Sequence, residues 1–320
     1  MYIINHNNGK TEVENSQVES IANAVSTTMR EFKLHDVSEQ ADVNGILEQL
    51  NVGEYSTRSL DHVCQGFKLI KDDRGEPLTI VSSTYDLLQP LEAFAFLDCL
   101  KDELSFSYEK AGFLQNGKQL FIQGSLGDFE VPTSSDRRKG DILNKRIVAK
   151  TSFDGSIATT IAIEILRVWC DNGCASWESD NAIAKVKHTR NQRQLMRYAL
   201  EQATGVKQVI QNLESDIATL SNVEVNQEQF NRINELVFKG ESKRAENVRD
   251  QVASQFNNER LGAFGENAWD VFNAFTAYQT HDRVVRETKQ TSREENAFRA
   301  QGDQTFSRKV RKAIQEVLSV

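Results

Sequence analysis

The residue pattern predicts an α+β chain: an antiparallel, hairpin-rich sheet with a few helices up to about residue 190, then a helical C-terminal region. Three observations predict it. Asn116-Gly117 and Asp154-Gly155 each separate runs whose apolar residues alternate with period two, the strongest local signature of a hairpin. The three prolines, Pro77, Pro90 and Pro132, all lie in the first half of the chain. Beyond Lys185 the apolar period lengthens from two to about three and a half, the spacing of amphipathic helices.

The elements follow in order. Residues 1–16 are polar. Ile21, Ala24, Val25 and Met29 are spaced as in a helix over Val18 to Phe32, and Val43 to Leu50 offers a second, shorter one. Phe67 to Ile70 and Leu78 to Val81, joined through Asp72-Asp73-Arg74-Gly75, read as a hairpin. Pro90 opens a helix with Leu91, Phe94, Ala95, Leu97 and Leu100 as its apolar stripe. A second hairpin runs from Ser105 to Leu114 and from Gln119 to Gln123 around Gln115-Asn116-Gly117-Lys118. A Gly-, Ser-, Asp- and Arg-rich loop fills residues 124–144.

The central hairpin turns at Asp154-Gly155. Ile147, Ala149, Thr151 and Phe153 share one face before a two-residue turn, and Ile161, Ile163 and Ile165 share one after it. Met196, Ala199, Ala203, Val206, Ile210, Leu213, Ile217 and Leu220 then predict one long helix, with Gly205 its weak point. Further helices centre on Phe230–Val237, Ala268–Tyr278 and Phe306–Val317, while the charged stretch 282–303 reads as solvated or disordered. These boundaries give an N-terminal segment (1–65), a sheet core (66–190), a helical region (191–281) and a charged linker with a last helix (282–320).

Bulk properties narrow the function. No apolar run approaches the roughly 20 residues that cross a bilayer, and the first residues match neither a signal nor a transit peptide, so no membrane partner and a cytoplasmic location are expected. Four scattered cysteines point to free thiols rather than a disulfide framework. The net charge of −8 excludes a protein that coats nucleic acid through bulk charge. The charge is uneven, however. From Lys185 to Arg197 there are five bases and no acid.

Candidate sites follow from that unevenness. Arg137, Arg138, Lys139, Lys145, Arg146 and Lys150 precede or line the first central strand; Lys185, Lys187, His188, Arg190, Arg193 and Arg197 lead into the long helix. Brought together they form a cationic groove beside a sheet, suited to tracking the phosphates of single-stranded nucleic acid. Solvated faces are the competing reading. Trp169, Trp177 and Phe153 offer either stacking faces or core. Cys170, Cys174 and His188 supply only three of the four ligands a structural zinc usually takes, so core thiols and no cofactor are expected. Gly-x-Ser-x-Gly, His-Glu-x-x-His and Walker-type motifs are absent, and His188 has no nearby acid to orient it, so a catalytic role is not expected. An interaction module without nucleic-acid binding, such as a phage structural or host-modulating protein, is the other class.

Six stretches in order carry a resemblance. They are DDRGEPLTIVSSTY (72–85), YEKAGFLQNGKQLF (108–121), SFDGS (152–156), LRVWCDNG (166–173), VKHTRN (186–191) and NAWDVFNAFTAYQTH (267–281). Together they resemble a family known as domain of unknown function 932, also called phage/plasmid-like proteins, with Phe153 standing where that family's turn has a His. The resemblance implies a phage- or mobile-element setting, and Arg167, Asn172, His188 and Thr189 as the polar members to test for contact. More distantly the plan is similar to Rad52-type single-strand annealing proteins, which implies single-stranded DNA as partner and assembly into homo-oligomers.

Overall fold

A computed structural model describes residues 33–38, 40–131, 142–167, 172–174, 182–201, 206–258, 265–288, 291–301 and 304–319. The helix predicted over Val18–Phe32 and the basic loop residues Arg137, Arg138 and Lys139 lie outside these, as do Trp169, Cys170 and Trp177. The architecture is α+β, with antiparallel sheets and a helical C-terminal region.

The N-terminal part holds β1 (His35–Asp36), α1 (Val43–Gln49) and a three-stranded antiparallel sheet of β2 (Ser56–Ser59), β3 (Phe67–Lys71) and β4 (Pro77–Ser82). Asp42 caps α1 by accepting from the Gly45 amide at 2.7 Å. The single helix predicted from Pro90 is two, α2 (Pro90–Phe94) and α3 (Phe96–Leu104), joined at Ala95. The joint takes Leu91 off the buried stripe and leaves it 46% exposed, while Phe94, Phe96, Leu97 and Leu100 are buried.

The larger sheet contains β5 (Ser107–Leu114), β6 (Gln119–Glu130), β7 (Ile142–Ser152), β8 (Thr159–Arg167), β9 (Asn172–Cys174) and β10 (Ala182–Val186). Its order is β1-β5-β6-β7-β8-β10, with β9 also paired to β8. The Asn-Gly connection is the expected four residues: Gln115, Asn116 and Gly117 all take left-handed backbone, and Leu114 pairs with Gln119.

The Asp-Gly connection is wider than the two-residue turn its sequence predicts. The strands end at Ser152 and resume at Thr159, leaving residues 153–158 as a loop. Only Gly155 has a positive φ there, whereas a two-residue primed turn needs it at both central positions or at the first. Local chemistry accounts for the difference. Phe153 turns inward to stack on Tyr55 with ring centroids 4.1 Å apart. The Ser152 hydroxyl donates to the Ile157 carbonyl at 2.7 Å and accepts from its amide at 3.2 Å, closing the loop. Asp154 accepts from the Ser156 amide.

The C-terminal helices are α4 (Gln192–Glu201), α5 (Val206–Ser221), α6 (Gln227–Val237), α7 (Lys243–Phe256), α8 (Ala268–Ala277), α9 (Arg293–Gln301) and α10 (Gln304–Leu318), with a π-helical turn at Tyr278–Asp282. The predicted long helix maps onto α4 and α5, and residues 202–205 between them lie outside the described residues. α8 is the centre of the layer. All ten of its residues are buried, including Trp269, Phe272 and Phe275, and α5, α7 and α10 pack around it. Burying each such aromatic contributes about 1.5–3 kcal/mol. One apolar cluster runs from α1 through the sheet to α10.

The stretch 282–303, expected to be solvated or disordered, is mostly exposed over its described residues, but it forms α9 and docks on the sheet through that helix. Glu295 of α9 is 1% exposed and accepts from the Gln115 amide at 2.6 Å. Phe298 packs against Phe121 at 5.1 Å. Asn296 donates to the Arg286 carbonyl. A single buried acid and one aromatic face on β6 hold a segment too polar to bury itself.

Candidate functional site

The site grows from the register of three strands. Lys150 on β7 and Lys185 on β10 both pair with Thr160, on the strand β8 between them. Directly paired residues share a face, so the two ammonium groups project to one side of the sheet across about two strand spacings, roughly 10 Å. Lys150 is partly offset by Glu164 at 3.4 Å. Lys185 has no carboxylate partner among the described residues, nor has Lys187, which follows β10.

The segment after β10 is stapled to the residues after β4. The Asp86 amide donates to the His188 carbonyl at 3.4 Å, the Gln192 side-chain amide donates to the Asp86 carbonyl at 2.8 Å, and Arg193 closes the staple. Its guanidinium bonds both oxygens of Glu92 (2.8 and 2.9 Å), Asp86 (2.8 Å) and the Leu87 carbonyl. This holds Tyr85 against His188, ring centroids 5.1 Å apart. The Tyr85 hydroxyl donates to the Ser152 carbonyl at 2.9 Å, and Gly155 lies against the Cδ2–Cε2 edge of its ring, where an added Cβ would come within 3.3 Å of Cε2. Three of the stretches singled out in the sequence therefore converge: Tyr85 from 72–85, Gly155 from 152–156, and His188 from 186–191.

These residues line a cleft of about 1810 Å³. Lys150, Lys185 and Lys187 stand on its sheet side. From the helical layer come Arg244 of α7, Arg283 and Arg286 after the π turn, and Arg299 of α9. Among the described residues, no Asp or Glu lines it. Concave walls of one sign concentrate the field, so the cleft attracts anions within a protein whose net charge is negative.

A second cavity of about 690 Å³ adjoins the first, sharing Tyr85, His188 and Thr189 with it. Both ring nitrogens of His188 are buried, near the Ile157 backbone and the Gln192 side chain but without a well-formed hydrogen bond to either. Burial lowers its pKa; the nearby Ile157 backbone and Gln192 side chain act the other way but do not outweigh it. The imidazole is therefore held neutral at pH 7, and the cleft's charge resides in its lysines and arginines. The Ser156 hydroxyl, on the same cleft, accepts from the Gln119 side-chain amide at 2.8 Å, and no hydrogen bond joins it to His188.

The sequence-predicted residues separate accordingly. Lys150, Lys185, Lys187 and His188 line the basic cleft, and Arg190 lines the second cavity. Lys145 and Arg146 point their charges elsewhere, to Glu214 at 2.7 Å and Glu109 at 3.0 Å. Arg193 is a strut rather than a free cation, and Arg197 is exposed on α4 away from both cavities. Arg167 and Asn172 pair across β8 and β9. Phe153 is core. Of the thiol–imidazole set, Cys170 lies outside the described residues; among these no three His, Cys, Asp or Glu side chains converge to hold a metal ion. Arg244, Arg283, Arg286 and Arg299 were not singled out in the sequence. Their only signal there is a run of arginines on poorly apolar segments.

The family described as domain of unknown function (DUF932) matches residues 77–301, more than half of the chain and all of the cleft-lining residues except Thr305. No curated protein matches. No solved structure matches, so the likeness to Rad52-type annealing proteins has no support from that side. No helix among the described residues is long and apolar enough to cross a membrane.

Proposed function

The chain belongs to the DUF932 family, and from that premise we propose that it binds single-stranded nucleic acid through the phosphate backbone along the basic cleft. One observation carries the reading: seven lysine and arginine side chains from two layers of the fold line one concavity that no carboxylate among the described residues enters. Such a surface neutralises consecutive phosphates by counterion release and reads no sequence. The cleft is rimmed by a sheet face, by α7 and α9, and by the stretch that follows the π turn, so its cations come from elements of the fold rather than from tails. Annealing two strands would need more than one cleft and belongs to this reading only together with self-assembly.

Retention on immobilised single-stranded DNA tests it. The protein should elute at moderate salt, and Lys185→Glu/Lys187→Glu should elute markedly earlier. If the folded wild type flows through at low salt, the cleft serves an anionic partner of another class, such as an acidic protein surface.

A further inference from the structure

We propose that the second cavity receives one nucleobase of the strand whose phosphates occupy the basic cleft, with the Tyr85–His188 stack as the wall between backbone and base. The inference rests on the strand-binding reading and adds to it a site for the base.

The two cavities adjoin but differ in chemistry. The cleft is lined by cations without a carboxylate among the described residues, whereas the second cavity mixes neutral hydroxyl and amide groups (Ser82, Thr84, Asn191) with one acid, Asp154, and one base, Arg190. A phosphate there would meet Asp154. A base would not be repelled, because its edge carries both donors and acceptors and its faces are apolar. Ile80 and Val81 supply apolar wall beside those polar groups. The size suits a small-ligand site.

The wall is built to stay in place. Tyr85 is pinned at its hydroxyl by Ser152, bordered at one ring edge by Gly155 and stacked on His188. A ring already fixed loses little freedom when a base stacks on it, which favours binding.

The test compares two labelled strands of equal length, one with bases and one of abasic deoxyribose phosphates, for wild type, Thr84→Trp and Asn191→Trp. Thr84 and Asn191 are exposed, so the indole fills the cavity mouth without disturbing the core. Wild type should bind the strand with bases about tenfold more tightly than the abasic one, the effect of stacking a single base. Either folded Trp variant should lose that ratio while binding the abasic strand as wild type does. A strand carrying 2-aminopurine should also lose fluorescence on wild-type binding, a readout that needs no variant. Equal affinity for both strands, with no quenching, overturns the base site and leaves backbone binding intact. A ratio that persists in a folded Trp variant places stacking elsewhere and also overturns it. If neither strand binds, the strand-binding reading itself falls and this inference with it.

Discussion

Lys150 and Lys185 are both registered opposite Thr160, so two lysines far apart in sequence face one cleft across a single intervening strand. Bringing two ammonium groups to one sheet face has an electrostatic cost. Only Lys150 is partly relieved, by Glu164 at 3.4 Å. Glu164→Gln should therefore free Lys150 and tighten strand binding by about twofold, the effect of one exposed ion pair. Isotherms at low and moderate salt check it, and the gain should shrink as salt screens the cleft.

The helical side of the cleft should matter as much as the sheet side. Arg283→Ala/Arg286→Ala should weaken binding uniformly across sequences. It should also flatten the dependence of log affinity on log salt by about 0.7 for each phosphate that is no longer neutralised. Titrations at several salt concentrations measure both quantities.

Arg193 should behave in the opposite way. Its bonds to Glu92, Asp86 and the Leu87 carbonyl tie the start of α4 to the segment before α2, and all three side chains are partly exposed. Arg193→Ala should cost on the order of 1 kcal/mol of stability and should weaken strand binding only by loosening the Tyr85–His188 stack, leaving the salt dependence of binding as in wild type. Chemical denaturation and binding on the same sample separate the two effects.

Glu295 couples the cleft's helical wall to the sheet. Burial raises its pKa above the ordinary 4.5, against the favourable Gln115 amide bond and the nearby Arg299. Between the unfolded value and the raised folded one, the native state holds more protons than the unfolded state, so this group's contribution to stability falls as pH rises through that window. Glu295→Gln keeps an acceptor for Gln115 and should remove that slope. Glu295→Ala leaves the amide unpaired and should cost about 1–3 kcal/mol. Urea midpoints from pH 4 to 8 distinguish the three proteins.

The hairpins were legible in the sequence because turn chemistry is local. Asn116-Gly117 and the alternation around it place β5 and the start of β6 without tertiary information, but β6 runs on to Glu130 and β7 starts at Ile142, both inside the stretch 124–144 read as a loop. At Asp154-Gly155 the same signal located the hairpin but not its width, because the burial of Phe153 on Tyr55 and the Ser152–Ile157 bonds override the short turn. The sheet half of the cleft was legible as a run of bases without acids. Its helical half was not, since Arg244, Arg283, Arg286 and Arg299 lie on α7, the stretch after the π turn and α9, which meet at that turn. Which cations are free was likewise beyond sequence reading: Arg193 meets Glu92 101 residues away, and Lys145 meets Glu214 at a separation of 69.

The central claim is that the cleft binds single strands by their phosphates. Fluorescence anisotropy of a labelled single-stranded oligonucleotide, titrated with wild type and with Lys185→Glu/Lys187→Glu over a range of salt, tests it most directly. Wild-type binding should have a log–log salt slope of about −3.5 to −5, from five to seven phosphate contacts. The charge-reversed protein should lose about tenfold or more in affinity. Absence of binding at low salt by the folded wild type, or equal affinity in the two proteins, would contradict it.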